Sequence, residues 1–176
     1  MQRSSTIEVT EMLLTVPSKR GNGMAKGKWI LPILIMSLAA CATAPVATVA
    51  SSESDTSAKK FMPPEGKANI YIAWSNNANG GARSFNVSLD GKMLGVISPG
   101  TYHNVAIDPG KHSIVVKSNL NSAKVSLDAS AGKNYFYEVT ASAGTYTAQP
   151  SISFILLEEM GKIMVRQNRR AQTISE

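Results

Sequence analysis

The two histidines are the first side chains to weigh as metal ligands or general bases. Alternation places both His103 and His112 on the same strand face as apolar residues, at the rim of a predicted core face. We consider a hairpin that turns at Pro109-Gly110. If Asp108 pairs with Lys111, the two histidines lie about 13 Å apart along the strands. If Ile107 pairs with Lys111 instead, their side chains point to opposite faces of the sheet. A Zn–N bond is only about 2 Å long, so they cannot share one ion. We expect backbone-bonded histidines, no metal and no cofactor.

No nucleophile paired with a base stands out among the other polar residues. Serines are abundant, but no G-x-S-x-G motif follows a predicted strand, and the chain lacks a G-x-G-x-x-G phosphate loop. Asp90 and Asp108 lie in predicted turns, and alternation places Asp128 and Glu138 on exposed strand faces. The sequence therefore favours a protein that is not an enzyme.

Two tyrosines offer a candidate binding face. Tyr71 and Tyr102 fall on strand faces that alternation predicts to be polar. If both are exposed, they form a flat platform for a sugar or a peptide. If they are covered, they close the edges of the hydrophobic core, and the sequence leaves both readings open.

Cys41 is the only cysteine, which excludes an internal disulfide and a cysteine-based zinc site. It directly follows the apolar run 29–40, whose 12 residues are too few for a spanning helix, since a helix that crosses a bilayer needs about 20. Two lysines precede the run, so basic, apolar and small-residue regions in order predict a secretory signal peptide over 1–40. If translation starts at Met24, the signal has an ordinary length and 1–23 is not translated.

The motif Leu38-Ala39-Ala40-Cys41 resembles the lipobox of bacterial lipoproteins. The resemblance implies that Cys41 receives a diacylglycerol on its sulfur, that cleavage occurs just before it, and that the new amino group is acylated. Two or more acyl chains anchor a protein stably where one does not. Ala42 resembles the residue found at this position in lipoproteins sorted to the outer membrane. We therefore expect a lipid-anchored protein of the bacterial cell envelope, on the outer rather than the inner membrane.

The basic character of the chain belongs in large part to this leader. Five of the 18 basic residues and two of the 12 acidic residues precede Cys41, so the net charge of +6 falls to +3 after cleavage. Nucleic-acid binding requires a clustered basic face. We expect no nucleic-acid partner.

Composition divides the remaining chain into a tether, a domain and a tail. Residues 42–60 are small and polar with no apolar period, which predicts a flexible tether with a reach of about 25 Å. With the lipidated cysteine, the predicted tether region is 41–62. Residues 63–170 are expected to form the folded domain, and 171–176 a disordered tail.

Period-two alternation recurs through the domain, with turn residues between the runs. It predicts an all-β fold, an antiparallel β-sandwich of about seven or eight strands. Asp90-Gly91, Pro99-Gly100 and Pro109-Gly110 are the clearest turns. Residues 158–166 fit either a short C-terminal helix or one more hairpin. The predicted strands are 68–74, 84–89, 92–97, 101–107, 111–117, 124–128, 133–141 and 151–157.

Five short motifs within 66–140 resemble a bacterial lipoprotein family of unknown function and the PEGA-type surface domain. They are Gly66-Lys67-Ala68-Asn69-Ile70-Tyr71-Ile72, Leu89-Asp90-Gly91-Lys92 with Leu94-Gly95, Gly100-Thr101-Tyr102, Pro109-Gly110-Lys111-His112 and Ala131-Gly132-Lys133-Asn134-Tyr135-Phe136. In PEGA-type domains such motifs mark two consecutive hairpins. The resemblance implies a β-sandwich envelope domain without assigned catalysis, and it offers no active-site residues.

Two functions remain open from the sequence. The first is a lipid-anchored, non-enzymatic interaction or structural module of the envelope. The second is a carbohydrate- or peptidoglycan-binding lipoprotein that uses Tyr71 and Tyr102. In both, the expected partners are the membrane, through lipidated Cys41, and another envelope protein or a polysaccharide.

Overall fold

The computed structural model describes residues 47–76, 83–142 and 148–174. These ranges hold two helices and nine strands. In chain order they are α1 (Ser52–Ala58), β1 (Ala68–Trp74), β2 (Phe85–Leu89), β3 (Lys92–Ile97), β4 (Thr101–Ile107), β5 (Gly110–Lys117), β6 (Ser122–Ala129), β7 (Asn134–Ser142), β8 (Gln149–Phe154), α2 (Glu158–Gln167) and β9 (Arg169–Arg170).

The strands form two sheets, which confirms the predicted β-sandwich. One sheet has the order β8-β7-β1-β4-β9 and the other β3-β2-β5-β6. Within the described residues the named strands pair antiparallel except β1 with β7 and β4 with β9, which are parallel. A parallel pair needs a long crossover connection. The chain between β1 and β7 supplies one, because it builds the entire second sheet before it returns.

A third layer of helices lies on the outer face of the five-stranded sheet. One apolar core fills the space between the sheets, and a second core lies between this sheet and the helices. All seven residues of β1 are therefore buried, because both faces of the strand are covered. The second core contains Ala58, Phe61, Tyr71, Ala73, Tyr102, Phe136, Met164 and Val165.

One of the predicted turns closes a hairpin, and two connect the sheets. Asp90 and Gly91 have φ of 50° and 84°, as a type I′ turn between β2 and β3 requires. Pro109-Gly110 instead leads from β4 in one sheet to β5 in the other, so the predicted hairpin there is wrong. The reason is that β1 and β9 already occupy both edges of β4. Pro99-Gly100 likewise passes from β3 to the other sheet.

The prediction of a flexible tether over 41–62 is wrong for the described part of that range. Residues 52–58 form α1, and the Ser51 hydroxyl caps the helix by accepting a hydrogen bond from Ser54 N at 3.3 Å. Ala58 and Phe61 are buried against the five-stranded sheet. We call residues 47–61 the N-terminal strap, because this segment lies along the body of the domain.

The C-terminal segment is also ordered further than predicted. Of the two alternatives for 158–166, the helix is the one found. The disordered tail predicted for 171–176 is wrong for its described residues, since Ala171 is buried and its N–H donates to Tyr102 O at 2.7 Å. Gln172 N donates to Thr48 O and Ile174 N to Leu94 O. These bonds fix the tail between the strap and strand β3.

Candidate functional site

The lipidation motif predicted from the sequence, Leu38, Ala39, Ala40 and Cys41, lies outside the described residues. The predicted signal peptide over 1–40 lies outside them too. Neither helix of the described ranges is long and apolar enough to cross a membrane. The described surfaces are therefore those of the folded domain.

The predicted tyrosine platform does not exist, because Tyr71 and Tyr102 are both 0% exposed. Their rings lie 6.3 Å apart beneath the helix layer. The Tyr71 hydroxyl donates to Ala58 O at 2.8 Å, and the Tyr102 hydroxyl donates to Asp55 Oδ1 at 2.8 Å. Burial raises the pKa of Tyr71 to about 12 and raises that of Tyr102 as well. The alternation of residue types along the strands predicted a solvent-exposed face here, because it cannot reveal a second layer packed on the sheet.

Asp55 is the polar centre that holds the strap, and sequence reasoning missed it. Its carboxylate accepts hydrogen bonds from the Tyr102 hydroxyl, from Arg170 N at 3.0 Å and from Lys59 Nζ at 2.8 Å. Burial alone would raise the pKa of Asp55, but the hydrogen bonds from Lys59 and Tyr102 outweigh it and the pKa is lowered. The Arg170 guanidinium also donates to Ser54 O. This network joins α1, β4 and β9.

An apolar stripe runs along the outer side of α2. Leu156, Leu157, Met160 and Ile163 are 86%, 68%, 56% and 45% exposed, and we call these four residues the apolar ridge. The spacing of three residues places Leu157, the N-cap residue, with Met160 and Ile163 on one side of the helix. Leu156 lies just before them in the chain. Met160, Ile163 and Met164 have helical spacing in the sequence, yet only Met164 of these three is buried. Large exposed apolar surfaces are typical of interaction sites, which makes the ridge a candidate for one.

A polar pocket of about 530 Å³ lies at the end of the four-stranded sheet, by the β2–β3 turn. Carboxylates, hydroxyls and cationic groups line it with one leucine. The lining residues are Asp90, Lys111, His112, Ser113, Ser126, Leu127 and Asp128. Pairing of β5 with β6 sets Lys111 opposite Asp128 and Ser113 opposite Ser126. The sequence had assigned Asp90 to turn geometry and His112 to a backbone bond, without bringing the two together.

His112 is held in this pocket by two acceptors. Its Nδ1 lies 2.6 Å from Asp90 Oδ2 and its Nε2 lies 2.8 Å from Asp108 O. A carbonyl and a carboxylate only accept hydrogen bonds, so both bonds form together only when both ring nitrogens carry protons, and the arrangement favours the cationic ring. Burial alone would lower the pKa of His112, but the bonds to Asp90 and Asp108 outweigh it and the pKa is raised. His112 therefore joins the β2–β3 turn to the β4–β5 connection.

Stability is expected to fall as the pH rises above neutrality, and His112 is the reason. Its folded pKa is raised above the ordinary 6.5, so its contribution is complete below that value and is lost as the pH rises through the folded pKa. Urea unfolding between about pH 6 and pH 8.5 measures the slope. His112→Asn is expected to flatten it, and an unchanged slope in this variant would contradict the two-acceptor arrangement.

His103 lies deeper than the sequence predicted. It was placed at the rim of the core, yet it is 0% exposed, with Nε2 3.1 Å from Val96 O. Its bond to the backbone is as predicted. Burial lowers the pKa of His103 to about 4, so the neutral ring is the folded form and its titration affects stability only below pH 6.5. Within the described ranges, no three His, Cys, Asp or Glu side chains stand close enough to hold a metal ion.

Comparison with known proteins gives a similarity to one family but no activity. Residues 64–150 match a family described as "Protein of unknown function (DUF2846)". An uncharacterized protein of Haemophilus influenzae strain Rd is 29% identical over 132 residues, which cover 74% of this chain and 76% of that protein. No solved structure matches the chain significantly. The matched range contains β1 to β7 and the start of β8, but neither helix of the outer layer. Over residues 64–150 this chain is therefore similar to DUF2846, a family whose function is unknown.

Proposed function

We propose that the protein is a lipid-anchored, non-enzymatic interaction or structural module of the bacterial cell envelope. The observation that carries the proposal is the position of Cys41. The only cysteine of the chain directly follows an apolar run that ends in Leu38-Ala39-Ala40. Acylation there would hold the domain on a membrane, and Ala42 favours the outer one. The likeness of residues 66–140 to PEGA-type surface domains agrees with this setting.

The polar groups of the domain support a role without catalysis. A general base needs a nitrogen or oxygen lone pair directed at a substrate proton. Both ring nitrogens of His112 lie within hydrogen-bond distance of protein acceptors, and His103 is fully buried. Asp55 is engaged by three donors from the protein itself. These side chains are arranged to hold the domain together.

The partner would be another envelope component, a protein or a polysaccharide. The tyrosine face proposed from the sequence is buried and cannot bind it. The polar pocket beside His112 is a concave alternative, because its hydroxyls, carboxylates and Lys111 suit a ligand rich in hydroxyl or amide groups. Cross-linking of the lipidated protein in membranes, followed by recovery of the conjugates, identifies the class of partner.

Replacing Cys41 with Ala tests the anchor. The variant is expected to lose the acyl mass and to move from the detergent-rich phase to the aqueous phase. Each buried methylene contributes about 0.8 kcal/mol to membrane binding, so nearly all of the protein should shift. Mass spectrometry and detergent phase partitioning measure the two effects, with Ser51→Ala as a control variant that keeps Cys41. A Cys41→Ala protein that stays with membranes and is still cleaved after Ala40 would overturn the proposal.

A further inference from the structure

The apolar ridge has no counterpart within the described protein. On the inner side of α2, Gly161, Met164 and Val165 are buried against the sheet. On the outer side, Leu156, Leu157, Met160 and Ile163 are 45–86% exposed. The helix is therefore apolar on two sides, and its outer side is exposed and can contact a partner.

The strap fixes how far the domain can lie from an anchor at Cys41. A flexible tether up to residue 60 would let the domain stand well clear of the bilayer. Instead, the described chain is already bound at Ala47, whose N–H donates to Ser98 Oγ at 3.2 Å. Six residue-to-residue steps of no more than about 3.6 Å each lead from Cys41 to Ala47, so the two lie within about 22 Å. An acylated Cys41 would keep the domain close against the membrane.

The strap and α2 belong to the same layer of the domain. Lys59 on the strap donates to Asn168 O at 2.8 Å, just after α2. The Arg166 guanidinium of α2 lies 5.2 Å from the centre of the Phe61 ring. Ala58 and Phe61 of the strap cover the outer face of the five-stranded sheet together with α2, so the ridge and this part of the strap belong to one layer. The first described residue of the strap, Ala47, is bound at Ser98, between β3 and β4.

The charges of this layer suit a lipid surface. The segments 52–60 and 158–170 together contain six Lys or Arg and four Asp or Glu residues. Apolar side chains of an interfacial helix enter the boundary between headgroups and acyl chains, while neighbouring cations bind anionic headgroups. Arg166 is exposed on α2 and supplies such a cation, whereas Lys162 is paired with Glu158 and Glu159.

We propose that the apolar ridge docks on the lipid surface of the membrane that carries the anchor. The inference rests on the proposed acylation of Cys41. Docking would hold the helix layer against the bilayer and would turn the four-stranded sheet and its polar pocket away from it. A domain oriented in this way would present the pocket to partners in the surrounding compartment.

Depth-dependent fluorescence quenching tests the contact on the full lipidated chain, held by its own anchor in vesicles of phosphatidylethanolamine and phosphatidylglycerol. Met160→Cys places a thiol on the ridge, and Leu120→Cys places one between β5 and β6 at a site that is also exposed, at 72%. Cys41 is the only native cysteine and is acylated in this preparation. Each variant therefore has one free thiol for a nitrobenzoxadiazole probe.

Lipids with a doxyl group on the acyl chain are expected to quench the probe at 160 about three-fold more than the probe at 120. Ile163→Cys is expected to repeat the result, which protects the test against a local effect of one substitution. Equal quenching on and off the ridge would overturn the proposal. A probe at 160 that is shielded from water but not quenched by doxyl lipids would overturn it in favour of a second copy or another protein.

Flotation of the same vesicles separates this inference from the proposed anchor. If the unlabelled chain does not float, the anchor has failed and the ridge proposal is overturned with it. If the chain floats while the probes on the ridge are not quenched, the anchor stands and the ridge proposal alone is wrong.

Discussion

Replacing Asp55 with Ala is expected to lower the free energy of unfolding by about 3 kcal/mol. The substitution removes one carboxylate and leaves the Tyr102 hydroxyl and Arg170 N without the acceptor they use at 2.8 and 3.0 Å. It also removes the ion pair with Lys59. Losses of this size are a large part of the 5–15 kcal/mol that typically holds a domain together.

Glu53→Ala is the matched control for this prediction. Glu53 lies in the first turn of the same helix and is exposed, so both variants lose one negative charge near the helix N-terminus. The control should lower the free energy of unfolding by no more than about 1 kcal/mol. Urea unfolding of residues 42–176 measures both, and limited proteolysis reports whether the strap has detached. Equal effects in the two variants would mean that Asp55 does not hold the strap.

The strands were predictable because their pattern is local. Alternation and turn residues located all eight long strands, and Asp90-Gly91 has the backbone angles that its hairpin requires. The pairing of these strands was not predictable in the same way. Whether β5 follows β4 in one sheet or crosses to the other depends on which strands already occupy the edges of β4, and this is a property of the whole chain.

The helix layer escaped prediction for a different reason. The strap is rich in Ser, Thr and Ala, which resembles a linker, and its burial depends on contacts with distant residues such as Tyr102 and Arg170. A signal was nevertheless present in β1, whose sequence Ala68–Trp74 carries Tyr71 and Ala73 on its second face. The third residue of this face is Asn69, and a strand that is largely apolar on both faces predicts a covering layer. Recognising it would have predicted that the tyrosine platform is buried.

Gly161 argued against a helix in the sequence, although α2 is part of the same layer. Glycine lowers helix propensity by about 1 kcal/mol relative to alanine, and this weakened the sequence case for α2. In the structure a Cβ at 161 would overlap the ring of Phe136, which is 1% exposed on β7. The glycine is thus the residue that lets α2 approach the sheet closely, and its cost in propensity is offset by the packing it permits.

Gly161→Ala is therefore expected to destabilise the domain by about 2–3 kcal/mol, although propensity alone predicts a gain of about 1 kcal/mol. The two effects have opposite signs, so the measured sign decides which one dominates. Phe136 cannot easily turn aside, because its ring stacks on Tyr71 with centroids 5.0 Å apart and an angle of 12° between the planes. Urea unfolding of residues 42–176 measures the change, and Gln167→Ala, exposed on the same helix, is the control.

A double variant separates steric overlap from any other effect of the alanine. Phe136→Leu removes part of the ring that the new methyl group would meet, at its own cost in burial. If overlap is the cause, Gly161→Ala should cost less in the Phe136→Leu background than in the wild type, with a coupling energy of about 1 kcal/mol or more. Additive effects, or a Gly161→Ala protein more stable than the wild type, would show that α2 does not approach β7 as closely as the overlap requires. The apolar ridge would then no longer have the fixed position that membrane docking demands.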